Sequence, residues 1–206
     1  MFSFADADAL TRILTWRRDV RRFRSDPVDE ILIGALAAAM NLAPSVGNAR
    51  PWRVLRIEDR NTRAAVQDHF AHCNADAVEA YAGDTREAYR QMVLAGFDTA
   101  PLQLAVFTVT DPVAGRGLGR RTMPETLVQS TAMAIHTLWL AARAHNLGLG
   151  MVSILQPPEV ERICAVPPDW RFSAWLCLGH PETEDDTPLL HRNGWQANAG
   201  HAWERR

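Results

Sequence analysis

The stretch Gly119-Arg120-Arg121-Thr122-Met123-Pro124-Glu125-Thr126 stands between two segments of opposite character. Before it, residues 102–109 form an apolar run of strongly β type, and a Gly- and Arg-rich loop follows over 111–121. After it, Pro124 and Glu125 suit the first turn of a helix. Proline lacks an N–H that would find no partner there, and a carboxylate is favoured at the positive end of the helix dipole. The helical pattern runs on through Ser130 and Thr131 to His145, where Asn146 and Gly148 end it. It is the longest helical pattern in the chain, and it follows a strand directly.

The other elements are placed outward from this pair. Residues 5–16 read as a first helix that runs into arginines at 17–24. Ser25-Asp26-Pro27 reads as the start of a second helix, with Asp29 and Glu30 complementing its dipole and Ile31, Leu32, Leu36 and Met40 on its apolar side. Residues 44–48 are a loop and 52–57 alternate as a strand. Residues 61–97 are helical in pattern but polar, broken at Gly83-Asp84, and are the best candidate for a mobile lid. Strands at 149–155 and 171–178 flank a short helix at 158–164. From 180 to 206 the chain is polar and carries only Trp195 and Trp203 as aromatic anchors. No regular βαβ alternation is present, so the expectation is a single α+β domain over 1–206, a mixed or antiparallel sheet flanked by helices. A tail without a core pattern is expected to wrap a partner subunit.

Composition narrows the function. Hydrophobic residues make up 47% and charged residues 22% of 206, ordinary values for a globular protein with a real core. A net charge of −2 offers no long-range attraction to nucleic acid or an anionic membrane, and neither partner is expected. No signal peptide or membrane span is read, so the expected location is the cytoplasm. The 3 cysteines, Cys73, Cys164 and Cys177, lack metal-ligand spacing and read as reduced thiols. His69 and His72 are spaced to share a helix face, but only Asp76 follows as a further ligand; a solvated face is preferred and no metal is expected. All 22 basic residues are arginine, so a bound phosphate must be held by guanidinium forks or backbone N–H groups.

Arg17, Arg18, Arg21, Arg22 and Arg24 lie close together, at the end of one helix and before the next. They read either as a solvated basic face or as a clamp for a dianionic phosphate, and Asp19 among them reads as an ion-pair partner. Ser45-Val46-Gly47-Asn48-Ala49-Arg50-Pro51-Trp52 has the glycine and proline of a loop that approaches a flat ligand closely, or of an ordinary helix–strand turn. Ser153, between Val152 and Ile154, lacks the glycines of a nucleophile elbow and is not an acyl-transfer serine.

Together, Arg17-Arg18-Asp19-Val20-Arg21, the 45–52 loop, the 119–126 string and Val152-Ser153-Ile154-Leu155 resemble the 5,6-dimethylbenzimidazole synthase branch of the nitroreductase-like flavoproteins. The resemblance runs from about residue 12 to 195. It implies an intertwined homodimer that binds FMN, with reduced FMN as the small-molecule substrate and dioxygen as co-substrate. It implies Asp19 and Ser153 as the reaction-critical pair, and Arg17, Arg18 and Arg21 as anchors of the phosphate. Val20, Ser45, Asn48, Arg50, Val152 and Ile154 are implied as further flavin contacts. Two alternatives stay open: a conventional NAD(P)H-dependent FMN nitroreductase or flavin reductase, which Asn48 favours, and a flavin-binding protein without turnover. Asp19 and the 119–126 string speak for the synthase. The chain departs from the pattern at Arg50, where glutamine is usual. It also lacks the basic and acidic residues expected at Val93 and Ala95, and the arginine expected after Trp195.

Overall fold

The computed structural model describes residues 1–92 and 94–206, which leaves the departure at Val93 outside the described residues. The elements are α1 (Phe4–Trp16), α2 (Glu30–Met40), β1 (Trp52–Arg56), α3 (Arg60–Glu79), α4 (Gly83–Arg90), β2 (Leu102–Val109), α5 (Thr126–Ala144), β3 (Gly148–Val152), α6 (Pro157–Ile163), β4 (Trp170–Gly179) and α7 (Leu189–Arg192). The strands form a sheet of order β1-β2-β4-β3, and every neighbouring pair is antiparallel. The α+β expectation is met.

β2 is buried along its whole length because helices cover both of its faces. Side chains alternate across a strand, so Leu102, Leu104 and Val106 join Leu36, Met40, Leu138 and Leu149 in a core under α2 and α5. Ala105 and Phe107 join Val66, Phe97, Val160 and Trp175 in a second core under α3 and α6. Gln103 falls on that second face and is fully satisfied within it. Its side-chain amide donates to the Phe97 carbonyl at 2.9 Å, and its oxygen accepts from the Trp175 indole at 3.1 Å. A buried amide without these partners would destabilise the fold. α5 buries Leu127, Thr131, Ala134, Ile135, Leu138 and Ala142, the spacing of one helix face against a sheet.

Two expectations need correction. The second helix is capped by Asp29, whose carboxylate accepts from the Ile31 N–H at 2.7 Å; Ser25-Asp26-Pro27 belongs to the linker before it. The strand before Ser153 stops at Val152. The first part of the tail contacts its own chain: Glu182 N–H donates to the Arg22 carbonyl at 3.2 Å, and Trp195 packs edge-on against Tyr81 with centroids 5.5 Å apart. Beyond it, residues 196–206 are exposed. The segment read as a lid is anchored at both ends, by Val66 and by Phe97, and is lightly buried between them, with Tyr89 alone buried in α4.

Candidate active site

The arm that leaves α1 is the backbone of the site. Val20 N–H donates to the Leu149 carbonyl at 3.1 Å, and Asp19 forms a parallel bridge with Leu149, so the arm extends the sheet beside the outer strand β3. Two glycines make this approach possible. A Cβ at Gly150 would stand 2.1 Å from the Val20 carbonyl oxygen, and one at Gly148 2.7 Å from the Val20 side chain. At its far end the arm is pinned by Phe23, which is buried in the second core and whose N–H donates to Thr99 Oγ1 at 3.0 Å.

Asp19 is held at both oxygens. Oδ1 accepts from the Met151 N–H at 2.9 Å, and Oδ2 accepts from Arg21 Nε at 2.7 Å. A carboxylate offers about four lone-pair positions, so two remain for a ligand. Ser153 follows Met151 by two residues, about 7 Å of extended chain, and is exposed. The structure therefore brings Asp19 and Ser153 to the same end of β3. Val152 is buried in the second core, and Ile154 is half-buried.

The arginines of the arm diverge. Arg17 lies over the Trp139 ring at 5.0 Å, with its Nε buried and unpartnered. Arg18 Nε donates to the Asp186 carbonyl at 2.9 Å. Burial pushes the Arg18 pKa below the ordinary arginine value, the Arg17 charge adds to this, and Asp186 and Asp185 oppose it; the guanidinium stays protonated at neutral pH. Arg18, Asp19, Val20, Arg21 and Arg22 line one side of a cavity of about 400 Å³. Its other walls are the end of α4, Arg143 of α5 and the acidic segment 182–185 with Arg192. There Arg143 pairs with Glu184 at 2.8 Å and Arg192 with Asp185 at 2.7 Å. Sequence reasoning missed Arg143 and Arg192, which carry no local signal beyond being basic residues near helix C-termini.

The second group of expected residues is assembled elsewhere. Ser45 Oγ accepts from the Arg50 N–H at 3.0 Å, and Val46 N–H donates to Ser130 Oγ of α5 at 3.0 Å. Asn48 and Arg50 adopt left-handed backbone, with φ of 55° and 44°. Gly47 and Gly115 let the 45–50 turn and the 111–121 loop touch backbone to backbone: a Cβ at Gly47 would meet the Gly115 carbonyl at 3.0 Å. Asn48, Arg120, Arg121 and Leu127 line an open cavity of about 1070 Å³ at the start of α5, where Arg120 pairs with Asp111 at 2.7 Å. Ser130 touches this group, while Trp139 touches the arm. At 1.5 Å per helical residue the two contacts lie about 13 Å apart along α5.

Other candidates have different employment. His69 Nε2 accepts from the Gln156 N–H at 3.0 Å, which corrects its reading as a solvated residue, and His72 faces Asp76 at 3.5 Å. Burial pushes the Cys177 thiol up to about 12, so it stays protonated at neutral pH. Among the described residues no group of His, Cys, Asp and Glu is arranged around a metal position, and no helix is long and apolar enough to cross a membrane.

The nitroreductase family model matches residues 14–180. A 5,6-dimethylbenzimidazole synthase of Rhodobacter capsulatus is 63% identical, covering 100% of this chain and 99% of its own. One of Rhodospirillum rubrum is 47% identical, covering 100% and 98%. Among solved structures, an oxidised iodotyrosine deiodinase bound to FMN and 3-iodo-L-tyrosine superposes with a TM-score of 0.72 at 23% identity, covering 85% of this chain and 91% of its own. The chain belongs to the nitroreductase family, on the branch of the 5,6-dimethylbenzimidazole synthases.

Proposed function

We propose that the protein converts reduced FMN and dioxygen into 5,6-dimethylbenzimidazole, the lower ligand of cobalamin, and erythrose 4-phosphate. The observation that carries this reading is the Asp19 carboxylate, fixed at both oxygens at the end of β3 that also carries Ser153. Near-full-length likeness to proteins of that name supports it. The residues fit a phosphate-bearing flavin: the cavity beside Asp19 is lined by five arginines against four carboxylates, a net positive site for an anion. When bound, reduced FMN supplies the electrons for dioxygen and is itself the material of the product.

The chain's own residues have three tasks. Asp19 takes and returns protons at the flavin edge, with its geometry held by the Met151 amide and Arg21. Ser153 donates or accepts a hydrogen bond at the same edge. Arg18 and Arg22 of the cavity, Arg18 foremost, hold the phosphate. A charge-assisted hydrogen bond contributes about 1.5–3 kcal/mol, so Arg18→Ala is expected to weaken FMN roughly 10- to 150-fold. Riboflavin, which lacks the phosphate, is expected to bind the variant as it binds the wild type. Equal loss for both ligands in a fluorescence titration would make Arg18 structural.

The site is completed by a second copy of the chain. The two groups of expected residues lie apart along α5, and apolar side chains of α5 and α1 stand exposed, among them Val128, Met133, Leu10 and Leu14. Pairing would cover them and bring Ser45, Asn48 and Arg50 of one chain toward Asp19 of the other. Sedimentation is expected to give twice the 23.0 kDa of one chain; a compact monomer unchanged by FMN contradicts this. The cytoplasm is assigned as the location, supported by three cysteines that stay free.

Incubation of the protein with reduced FMN in air, with dimethylbenzimidazole followed by mass, tests the function. Brisk NAD(P)H oxidation with a nitroaromatic acceptor and no dimethylbenzimidazole would assign a nitroreductase instead.

A further inference from the structure

We propose that Arg21 is a positioning residue that aims the Asp19 carboxylate, and not a clamp on the ligand's phosphate. Arg21 Nε donates to Asp19 Oδ2 at 2.7 Å, and the side chain is 17% exposed, against 30% for Asp19. The more buried partner thus stands behind the more accessible one. The second support of the carboxylate, the Met151 N–H, comes from β3, so the two donors fix the two oxygens from different segments. A carboxylate held at one oxygen rotates about its Cβ–Cγ bond; one held at both keeps its plane. The backbone around Arg21 is equally constrained, by Val20 on Leu149 before it and Phe23 on Thr99 after it.

Charge points the same way. Arg21 and Asp19 form a pair with no net charge, so the pair adds little to the attraction of a dianion. Among the described residues Arg18 and Arg22 of the same arm line the cavity without a side-chain carboxylate at this range, and on them the phosphate interaction rests. Removal of Arg21 would leave Asp19 held at one oxygen and free to swing away from the Met151 amide, which costs rate through misplacement of the reacting group.

The inference rests on the role proposed for Asp19, and the experiment separates the two. Arg21→Gln, Arg21→Lys, Asp19→Asn and the double variant Asp19→Asn/Arg21→Gln are compared with the wild type. Arg21→Gln is expected to lower kcat for dimethylbenzimidazole formation about 10- to 100-fold, with KM and the ratio of FMN to riboflavin affinity changed less than about threefold. Arg21→Lys, which restores a cation within reach of Asp19, is expected to recover part of the rate and stands in if the Gln variant does not fold. Residues that act through one another are non-additive, so the double variant is expected to be no slower than Asp19→Asn alone. In the flavin-free protein the Met151 amide resonance is expected to move in Arg21→Gln in the same direction as in Asp19→Asn.

A selective tenfold loss of FMN over riboflavin in both Arg21 variants would overturn the proposal in favour of a phosphate clamp. So would a double variant in which the two rate losses multiply, or an unmoved Met151 amide. If the wild type makes no dimethylbenzimidazole, the role of Asp19 in synthesis fails, while the affinity ratio and the amide resonance still decide what Arg21 does.

Discussion

Gly150→Ala is expected to unseat the arm that carries Asp19. The added Cβ would stand 2.1 Å from the Val20 carbonyl oxygen, a backbone atom that no rotamer change can move. Either β3 or the arm must shift, and the bonds from Val20 to Leu149 and from Met151 to Asp19 lengthen or break. Overpacking of this kind costs about 1–3 kcal/mol. For a chain of this size it corresponds to a fall in Tm of roughly 2–12 °C. FMN affinity is expected to fall with it, because Arg18 and Arg22 of the cavity ride on the same arm. Gly200→Ala is the control: a Cβ there meets nothing within 4 Å, and both Tm and FMN affinity are expected to stay at wild-type values. Wild-type Tm and FMN binding in Gly150→Ala would show that the arm does not need this glycine.

Asp19→Asn is expected to separate binding from chemistry. Asparagine has the same size, and its oxygen can keep the bond to the Met151 N–H or to Arg21 Nε. The basic carboxylate is gone, and proton transfer by a positioned side chain commonly contributes about 10²–10⁴ in rate. The variant is therefore expected to bind FMN within a few-fold of the wild type and to let the reduced flavin react with oxygen. Dimethylbenzimidazole formation is expected to fall by about that factor. Ser153→Ala is expected to show the same division, since Ser153 is exposed at the end of β3. Product at the wild-type rate in Asp19→Asn would remove Asp19 from the acid–base role.

The amino-acid sequence alone determined the elements whose patterns are local. The apolar run at 102–109 is β2 to the residue, and the long helical pattern from Pro124 loses only its first two residues and His145 to the turns that flank it. The break read at Gly83-Asp84 falls just earlier, at 80–82, and Gly83 and Asp84 open α4. The α+β class followed from their order, because side-chain alternation and helical periodicity are set by neighbours a few residues apart. The four motif segments were legible for the same reason: each is a short string. Where the local signal was ambiguous it misled. Asp26 and Asp29 are both good caps, and only the packing of α2 on α5 selects Asp29, since it decides which residues begin the buried face.

The tertiary structure alone decided what the motifs do to one another. Asp19 and Met151 are 132 positions apart, and their bond exists because Gly148 and Gly150 let two backbones approach. The five arginines of one string look alike in sequence. In space Arg17 lies on Trp139, Arg18 faces the tail, Arg21 supports Asp19 and Arg22 is exposed. Arg143 and Arg192 enter the cavity from helices that no local pattern ties to it. Such contacts are products of the summed packing of the sheet and its helices. The free energy that brings Asp19 to β3 is spread over two cores, and no single stretch of residues encodes it.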